Sequence, residues 1–318
     1  MPTHLNVKPH SFLNGLLSKA GIKDGLVQDH QKLSEFAFLG KIDELDIIFI
    51  CHPKFDAAIS LQGAQLLNWQ LRDGPETFWL SPLTPFKRNQ PIRGGVPICW
   101  PWFGKSAFPA HGFARTSLWQ LDSLSDDSEK VNLSITLNST DESRSIWPYE
   151  FSLCLQLYLS DTCEFILESR GNFKFTCALH SYFHISHVNN AHVLGLGSEF
   201  INSLNNQVLE KETSSSVTFK DHIDRIYTQS NKKLELIDEM LSRKILIENS
   251  HGMLLEKQNS CDSVIWNPGI KLSHSMQDMP DDGYLSMGCI ESAVVSQAVQ
   301  LTSSSVHQLK LNVTPFPL

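Results

Sequence analysis

Two side chains in strand-like segments, His180 and Glu291, have the types needed for proton transfer. Apolar residues alternate from 173 to 179, so His180 projects with Tyr182 and His184 from the opposite face of that strand. Glu291 is in phase with apolar residues at 285, 287 and 289, where burial would raise the pKa of its carboxyl and make it a candidate base. An imidazole titrates near neutral pH. The alternatives are exposed or hydrogen-bonded histidines and a strand-end glutamate turned into solvent.

A basic, acid-free stretch is the second candidate for function. No Asp or Glu occurs from residue 77 to residue 121, although the whole chain has a formal net charge of −8. The stretch holds five cationic residues: Lys87, Arg88, Arg93, Lys105 and Arg115. Its segment 92–104 combines paired glycines with two prolines and two tryptophans, which favours a shaped loop over a helix or an uninterrupted strand. The local reversal of charge predicts a site for an anion.

Other kinds of site have weaker support in the sequence. Asp224 lies in a charged segment at 221–227, which by itself is typical of a surface turn or an edge strand. His180 and His184 would stand roughly 13 Å apart along a strand, too far for one metal ion, so we expect no metal site. The sequence also lacks a G-x-S-x-G nucleophile motif, a P-loop and a complete dinucleotide fingerprint.

Alternating apolar and polar residues indicate the elements that must position these side chains. Apolar residues recur at every second position in the ranges 131–137, 151–159, 173–179 and 309–313. Residues 57–71 follow the same pattern and predict two half-buried strands, or one bent strand, broken near Gly63. Sustained helical periodicity is almost absent beyond one short helix in the first forty residues. The sequence therefore predicts a mostly β fold of antiparallel strands, in a large sandwich or barrel.

Length and composition narrow the class of protein further. The 318 residues are 41% hydrophobic and 19% charged, as in soluble globular proteins, and no apolar run approaches the roughly 18 residues of a membrane helix. The first residues lack the apolar core of a secretion signal, and the seven cysteines are odd in number and widely spaced, so we expect a reducing, cytoplasmic location. The acidic balance argues against a nucleic-acid partner. We predict one domain over 45–318 and an N-terminal lead-in with a short helix over 1–44.

Six motifs carry a resemblance to a known enzyme family. They are the segments at 93–104, 111–115, 179–183, 224–227 and 264–268, and an ending that runs from Asp278-Met279 to Cys289-Ile290-Glu291. Together they cover roughly residues 45 to 315. On these motifs the sequence resembles the glucose-6-phosphate 1-epimerases, which are hexose-6-phosphate mutarotases of the aldose 1-epimerase family.

The resemblance implies a fold and a role for each matched residue. The fold would be a galactose-mutarotase-like β-supersandwich of antiparallel sheets, with the sugar on the concave face of a large sheet. His180 matches the family's catalytic histidine and Glu291 its catalytic carboxylate. The positions that match phosphate-binding or hydroxyl-binding residues are Arg93, His111 and Arg115, and the position that matches a sugar-binding aspartate is Asp224. His184 and His187 lie outside the matched positions and receive no catalytic role.

The implied reaction exchanges the α and β anomers of D-glucose 6-phosphate, or of a related hexose 6-phosphate, without a cofactor. An ionised Glu291 would take the proton of the C1 hydroxyl while a protonated His180 gives one to the ring oxygen, and the roles reverse when the ring recloses. The partner would be a small hexose 6-phosphate, and we expect a monomer. The alternatives are a mutarotase of neutral aldoses and a non-catalytic sugar-phosphate-binding protein.

Overall fold

Antiparallel β-strands dominate the structure. The computed structural model describes residues 3–4, 9–21, 26–27, 31–228 and 230–318; part of the predicted lead-in lies outside these residues. The strands are β1 (Thr3–His4), β2 (Leu26–Val27), β3 (Gln31–Lys32), β4 (Ala37–Ile42), β5 (Leu45–Cys51), β6 (Phe55–Ser60), β7 (Gln65–Leu71), β8 (Ile98–Cys99), β9 (Gln120–Asp126), β10 (Val131–Asn138), β11 (Phe151–Leu159), β12 (Cys163–Gly171), β13 (Lys174–Leu179), β14 (Tyr182–His184), β15 (Ala191–Leu194), β16 (Glu199–Asn202), β17 (Val208–Lys211), β18 (Ser216–Thr218), β19 (Ile223–Tyr227), β20 (Lys233–Asp238), β21 (Arg243–Met253), β22 (Asp262–Asn267), β23 (Met287–Gln300) and β24 (Val306–Pro317).

Helical segments are short. The α-helices are α1 (Ser11–Lys19), α2 (Asp141–Ile146) and α3 (Gly269–Ser273), and single 3₁₀ turns occupy Ala114–Thr116 and Gly283–Ser286. Helix α2 begins with a capping box in which the Thr140 hydroxyl accepts from the Ser143 backbone N–H, which satisfies a backbone donor that the helix itself leaves free. Helix α1 is the short helix predicted from the first forty residues.

Three larger sheets build the molecule, and a separate pair joins β1 to β2. A nine-stranded sheet has the order β18-β15-β20-β21-β24-β12-β11-β10-β9, and an eight-stranded sheet has the order β17-β16-β19-β22-β23-β13-β8, with β14 paired to β23. A five-stranded sheet has the order β3-β4-β5-β6-β7. Neighbouring strands in these sheets are antiparallel, which confirms the predicted architecture.

The main core lies between the nine-stranded and eight-stranded sheets. In β10 and β11 every second residue is buried, as the alternation predicts, and the buried residues of β12 and β24 extend the same apolar layer. The eight-stranded sheet contributes Cys177, Leu179, Ile265 and Ile290 to this core. Because side chains alternate along a strand, the residues between them project from the other face, where predicted site residues lie.

The five-stranded sheet is covered on both faces, and the prediction of half-buried strands at 57–71 is wrong in this respect. Strands β6 and β7 are separate, as one prediction had it, but all their residues except Leu71 are buried. One face packs into the main core, and the other packs against three buried leucines of α1. The polar side chains of Asn68 and Gln65 are therefore buried and bond to backbone or side-chain groups instead of water.

The predicted boundary between residues 44 and 45 falls inside a hairpin. Strand β4 precedes that boundary and pairs along its whole length with β5, which follows it. The five-stranded sheet therefore takes strands from both sides of the boundary. The seven cysteines are free thiols, and no helix in the described residues is long and apolar enough to cross a membrane.

Candidate active site

Central strands of the eight-stranded sheet place the two predicted carboxylates on one face. Glu291 in β23 lies opposite Val264 of β22, and Asp224 in β19 lies opposite Trp266 of β22. Trp266 is in turn opposite Cys289, two residues before Glu291. Since residues two apart share a face, Asp224, Trp266 and Glu291 all project away from the main core.

His180 reaches the same face from the end of β13. Its backbone N–H donates to the carbonyl of Pro97 at 2.9 Å, which fixes the chain where the strand ends. The imidazole Nδ1 lies 3.4 Å from Oε1 of Glu291, and both side chains are buried. Among the described residues, neither Nδ1 of His180 nor Oε2 of Glu291 has a hydrogen-bond partner. The structure thus brings two proton-exchanging groups together without the bonds that would fix their protonation.

Burial opposes the charged form of both groups. It raises the pKa of the Glu291 carboxyl well above its ordinary value, and the nearby charge of Asp224 raises it further while Arg115 lowers it. Burial also lowers the pKa of His180 well below its ordinary value, assisted by His111, Arg115 and Arg93. The expected state, an ionised Glu291 beside a protonated His180, therefore competes with a neutral pair that carries the same single proton.

His111 places a second imidazole ring beside His180. The two ring centroids are 5.7 Å apart, and the backbone N–H of His111 donates to the carbonyl of Gly104 at 2.7 Å. Burial, together with the charges of Arg115, Arg93 and Lys105, lowers the pKa of His111 to about 3. His111 is therefore neutral near pH 7 and can act as a hydrogen-bonding group.

Two glycines let the basic loop pack closely against neighbouring backbone. Gly95 has a φ of +62°, and a Cβ there would lie 2.2 Å from the Leu66 carbonyl oxygen. Gly112 has a φ of +71°, and a Cβ there would lie 2.0 Å from the Trp100 carbonyl oxygen. Only glycine fits these positions without moving backbone, so the shaped loop predicted from composition is built on close backbone contacts.

Arg93 and Arg115 are the two loop cations whose charges act on His180. Arg93 donates from Nε to Oδ2 of Asp278 at 3.1 Å and from Nη1 to the Tyr182 hydroxyl at 2.9 Å. Its Nη2 lies 3.1 Å from the same Asp278 oxygen in an ion pair. Arg115 donates from Nη2 to the Ala110 carbonyl at 2.8 Å. The two guanidinium groups bring positive charge close to His180, as the acid-free stretch predicts, although the charge of Arg93 is paired with the Asp278 carboxylate.

The six predicted site residues form one electrostatic cluster, whereas the other cations of the stretch do not all join it. Arg93, His111 and Arg115 shift the pKa of His180, and Asp224 and Arg115 shift that of Glu291. Lys87 and Arg88 are exposed, and Arg88 donates its backbone N–H to Glu44. Only some cations of the acid-free stretch therefore lie at the candidate site.

Sequence reasoning missed two participants. The Asp278 carboxylate contacts Arg93. The stretch that has no Asp or Glu in its sequence therefore has an acidic neighbour in the folded chain. Tyr182 stacks on His180 with ring centroids 4.7 Å apart and planes 8° apart. Both lie within the motifs that carry the family resemblance, but nothing in their spacing indicated a link to Arg93. No group of three or more potential metal ligands occurs among the described residues.

Comparison with known proteins supports the same family over nearly the whole chain. The Aldose 1-epimerase family model matches residues 46–314. A protein of Escherichia coli K12 named "Putative glucose-6-phosphate 1-epimerase" is 41% identical over 276 residues, which cover 86% of this chain and 91% of that one. A protein of the same name from Cenchrus ciliaris is 30% identical and covers 82% of each chain.

Solved structures agree in fold. The crystal structure of YeaD from Salmonella typhimurium, named a "putative mutarotase", matches with a TM-score of 0.86 at 37% identity. The match covers 91% of this chain and 96% of that one. A galactose mutarotase related enzyme from Lactobacillus acidophilus has a TM-score of 0.64 at 14% identity, covers 84% of this chain and 96% of that one, and shows the fold alone. The predicted galactose-mutarotase-like fold is confirmed. The chain therefore belongs to the aldose 1-epimerase family, whose members are isomerases.

Proposed function

We propose that the protein interconverts the α and β anomers of D-glucose 6-phosphate, or of a closely related hexose 6-phosphate, without a cofactor. The observation that carries this proposal is the buried, unbonded His180–Glu291 pair beside two guanidinium groups. A base and an acid are what anomer exchange needs, and a cationic anchor is what a phosphate needs.

The His180–Glu291 pair holds one proton, and the reaction uses it in two proton transfers. Glu291 takes the proton of the C1 hydroxyl, and His180 gives its proton to the ring oxygen as the bond between C1 and that oxygen breaks. The open-chain aldehyde rotates about C1–C2, and the ring recloses with both transfers reversed. For this, the pair's proton must sit on His180. The positive charge of Arg115 lowers the pKa of both groups, so it stabilises an ionised Glu291 and opposes a protonated His180.

The remaining site residues hold the sugar. Arg93 and Arg115 bind the phosphate at the end remote from C1, so that binding energy places C1 at the acid–base pair. His111, neutral near pH 7, and Asp224 bind sugar hydroxyls. The pKa of Asp224 is raised mainly by burial, as fits a carboxylate facing a cleft rather than bulk water.

Anomer exchange measured by NMR tests the proposal. Magnetisation exchange between the two anomeric protons of glucose 6-phosphate at equilibrium reports the rate directly, and glucose at the same concentration is the matched neutral substrate. We expect a much larger acceleration for the phosphorylated sugar. Exchange at the spontaneous rate for both sugars would overturn the proposal.

Two other outcomes would identify the alternatives. Equal acceleration of glucose and glucose 6-phosphate would indicate a mutarotase of neutral aldoses, although the Arg93 and Arg115 pair argues against it. Tight binding of glucose 6-phosphate without acceleration would indicate a sugar-phosphate-binding protein, although the unbonded His180–Glu291 pair has no evident use in such a protein.

A further inference from the structure

Tyr182 is surrounded by aromatic rings, among them the imidazole of His180. Its ring is parallel to that of His180, with centroids 4.7 Å apart, and it stacks less closely on Trp79, with centroids 6.2 Å apart and planes 23° apart. Trp266 meets it edge-on at 6.1 Å. With 2% of its surface exposed, the ring is packed directly against these neighbours, so a shift of its hydroxyl displaces the rings on which it stacks.

The Tyr182 hydroxyl is tied to the proposed phosphate anchor. It accepts a hydrogen bond from Nη1 of Arg93 at 2.9 Å, and Oδ2 of Asp278 holds Nε and Nη2 of the same guanidinium. The carbonyl of Asp278 accepts from the Ser81 hydroxyl at 2.6 Å, which fixes the acidic residue in turn. A guanidinium has five N–H donors, and these contacts leave two of them for an anion.

Ring packing is what orients the His180 imidazole. Its Nδ1 has no hydrogen-bond partner among the described residues, and its closest polar neighbour is the Glu291 carboxylate at 3.4 Å. Other rings meet it at larger separations or steep angles: His111 at 5.7 Å and Trp266 at 6.0 Å. The parallel stack on Tyr182 is therefore the contact that defines the plane of the imidazole.

We propose that Tyr182 is a positioning residue that couples occupancy of Arg93 by the substrate phosphate to the orientation of the His180 imidazole. This inference rests on the proposed function, because it takes Arg93 as the phosphate anchor and His180 as a proton donor. An anion on the two remaining N–H groups holds the guanidinium from a second side. The Nη1–hydroxyl bond is then fixed at both ends, and the ring stack transmits that order to His180.

Splitting the substrate into two pieces tests the coupling. Glucose supplies the reacting ring, and inorganic sulfate, at ionic strength held constant with chloride, supplies the anion. In the wild-type protein we expect saturating sulfate to accelerate glucose exchange by about 5-fold or more, in the range of ordinary coupling between sites. Sulfate should also inhibit the exchange of glucose 6-phosphate by competing for Arg93.

Tyr182→Phe keeps the ring and removes the hydroxyl, so the ratio of glucose exchange rates with and without sulfate should fall to about one. Asp278→Asn, which weakens the hold on Arg93 without touching the aromatic stack, should reduce the same ratio. Tyr227→Phe is the matched control, because Tyr227 is a buried tyrosine of the same sheet whose hydroxyl also contacts an arginine, Arg225. It should retain the wild-type ratio.

The outcomes separate the inference from the proposed function. If the wild-type protein exchanges glucose 6-phosphate but sulfate does not accelerate glucose exchange, or if Tyr182→Phe retains the acceleration, the coupling is overturned and the function stands. If sulfate fails to inhibit glucose 6-phosphate exchange, the assignment of Arg93 to the phosphate is overturned and the coupling with it. If the wild-type protein accelerates neither sugar, the proposed function itself fails.

Discussion

Two buried carboxylates, Asp56 and Glu291, have opposite surroundings. Asp56 in β6 is fully buried, and its Oδ2 accepts from the backbone N–H of His10 at 2.7 Å and from His10 Nδ1 at 2.8 Å. The Arg72 guanidinium donates to both of its oxygens. Glu291, with 1% of its surface exposed, has one oxygen 3.4 Å from His180 and another without a hydrogen-bond partner among the described residues.

The difference shows that burial alone does not identify a functional carboxylate. A buried charge that accepts several hydrogen bonds is stabilised by its partners, and removing a partner is costly. A buried carboxylate without such partners has a shifted pKa and can change its protonation with little rearrangement. By this criterion Asp56 is a structural residue that joins β6 to the segment before α1, whereas Glu291 is the residue for which we propose a function.

Replacing Glu291 by Gln should produce the largest change in rate. The amide cannot take the C1 proton, so we expect kcat for glucose 6-phosphate exchange to fall by about 10²–10⁴-fold, the contribution typical of one positioned proton-transfer group. The free energy of unfolding should not fall, because Gln has nearly the same shape and removes an acid that lacks partners. NMR exchange and urea denaturation measure the two quantities.

Glu168→Gln is the matched control for Glu291→Gln. Glu168 is also buried, but Gln308 donates to its Oε1 at 2.8 Å and Arg170 to its Oε2 at 2.9 Å. It lies in β12, outside the site, so kcat should be unchanged. Wild-type kcat in Glu291→Gln would show that another group is the base.

Replacing Asp56 by Asn should produce the largest change in stability. The substitution leaves Arg72 and His10 beside a neutral amide, and breaking a buried ion pair costs about 3–5 kcal/mol of unfolding free energy. In the fraction of protein that remains folded, kcat for exchange should equal the wild-type value, because Asp56 is not part of the site. Urea denaturation monitored by tryptophan fluorescence, with kcat corrected for the folded fraction, checks both expectations.

Lys54→Ala provides the reference for an exposed ion pair. Lys54 lies near Asp56 in sequence and pairs with Glu129 and Asp161 at the surface, where solvent weakens the attraction. Its substitution should leave the unfolding free energy almost unchanged. A loss in Lys54→Ala as large as that in Asp56→Asn would show that burial of the partner does not set the cost.

Strand periodicity was enough to predict the antiparallel fold, but it left open whether Glu291 is buried or turned into solvent, and the structure buries it. In β10, β11 and residues 309–313 of β24, one face meets the core and the other meets solvent or a polar neighbour, so burial alternates with hydropathy. This alternation of burial fails in β6 and β7, because α1 covers the face that would otherwise be exposed to solvent. The sequence gives no local sign of that cover, since the helix lies about forty residues earlier in the chain.

Contacts between distant segments could not be predicted either. Asp278 meets Arg93 across 185 residues of sequence, and the only local sign, an acid-free stretch around Arg93, indicates the opposite environment. Likewise the family resemblance marked His180 and Glu291 as a pair, but the absence of a hydrogen bond between them depends on side-chain placement. The residue types are readable from sequence, whereas their protonation depends on burial and partners that the fold supplies.

The pH dependence of stability should give a smaller but diagnostic test of the surroundings of Glu291. The folded-state pKa of Glu291 is raised, so above the unfolded value near 4.5 the unfolded chain has released a proton that the folded chain retains. The unfolding free energy of the wild type therefore falls as pH rises, and the Glu291→Gln substitution removes this decrease. We therefore expect the unfolding free energy of Glu291→Gln minus that of the wild type to be near zero at pH 4 and to grow above it, by at most about 1.4 kcal/mol per pH unit. Urea denaturation between pH 4 and pH 8 measures this. A constant difference across that range would mean that Glu291 titrates in the folded protein as it does in the unfolded chain, and the contrast with Asp56 would then reduce to hydrogen bonding alone.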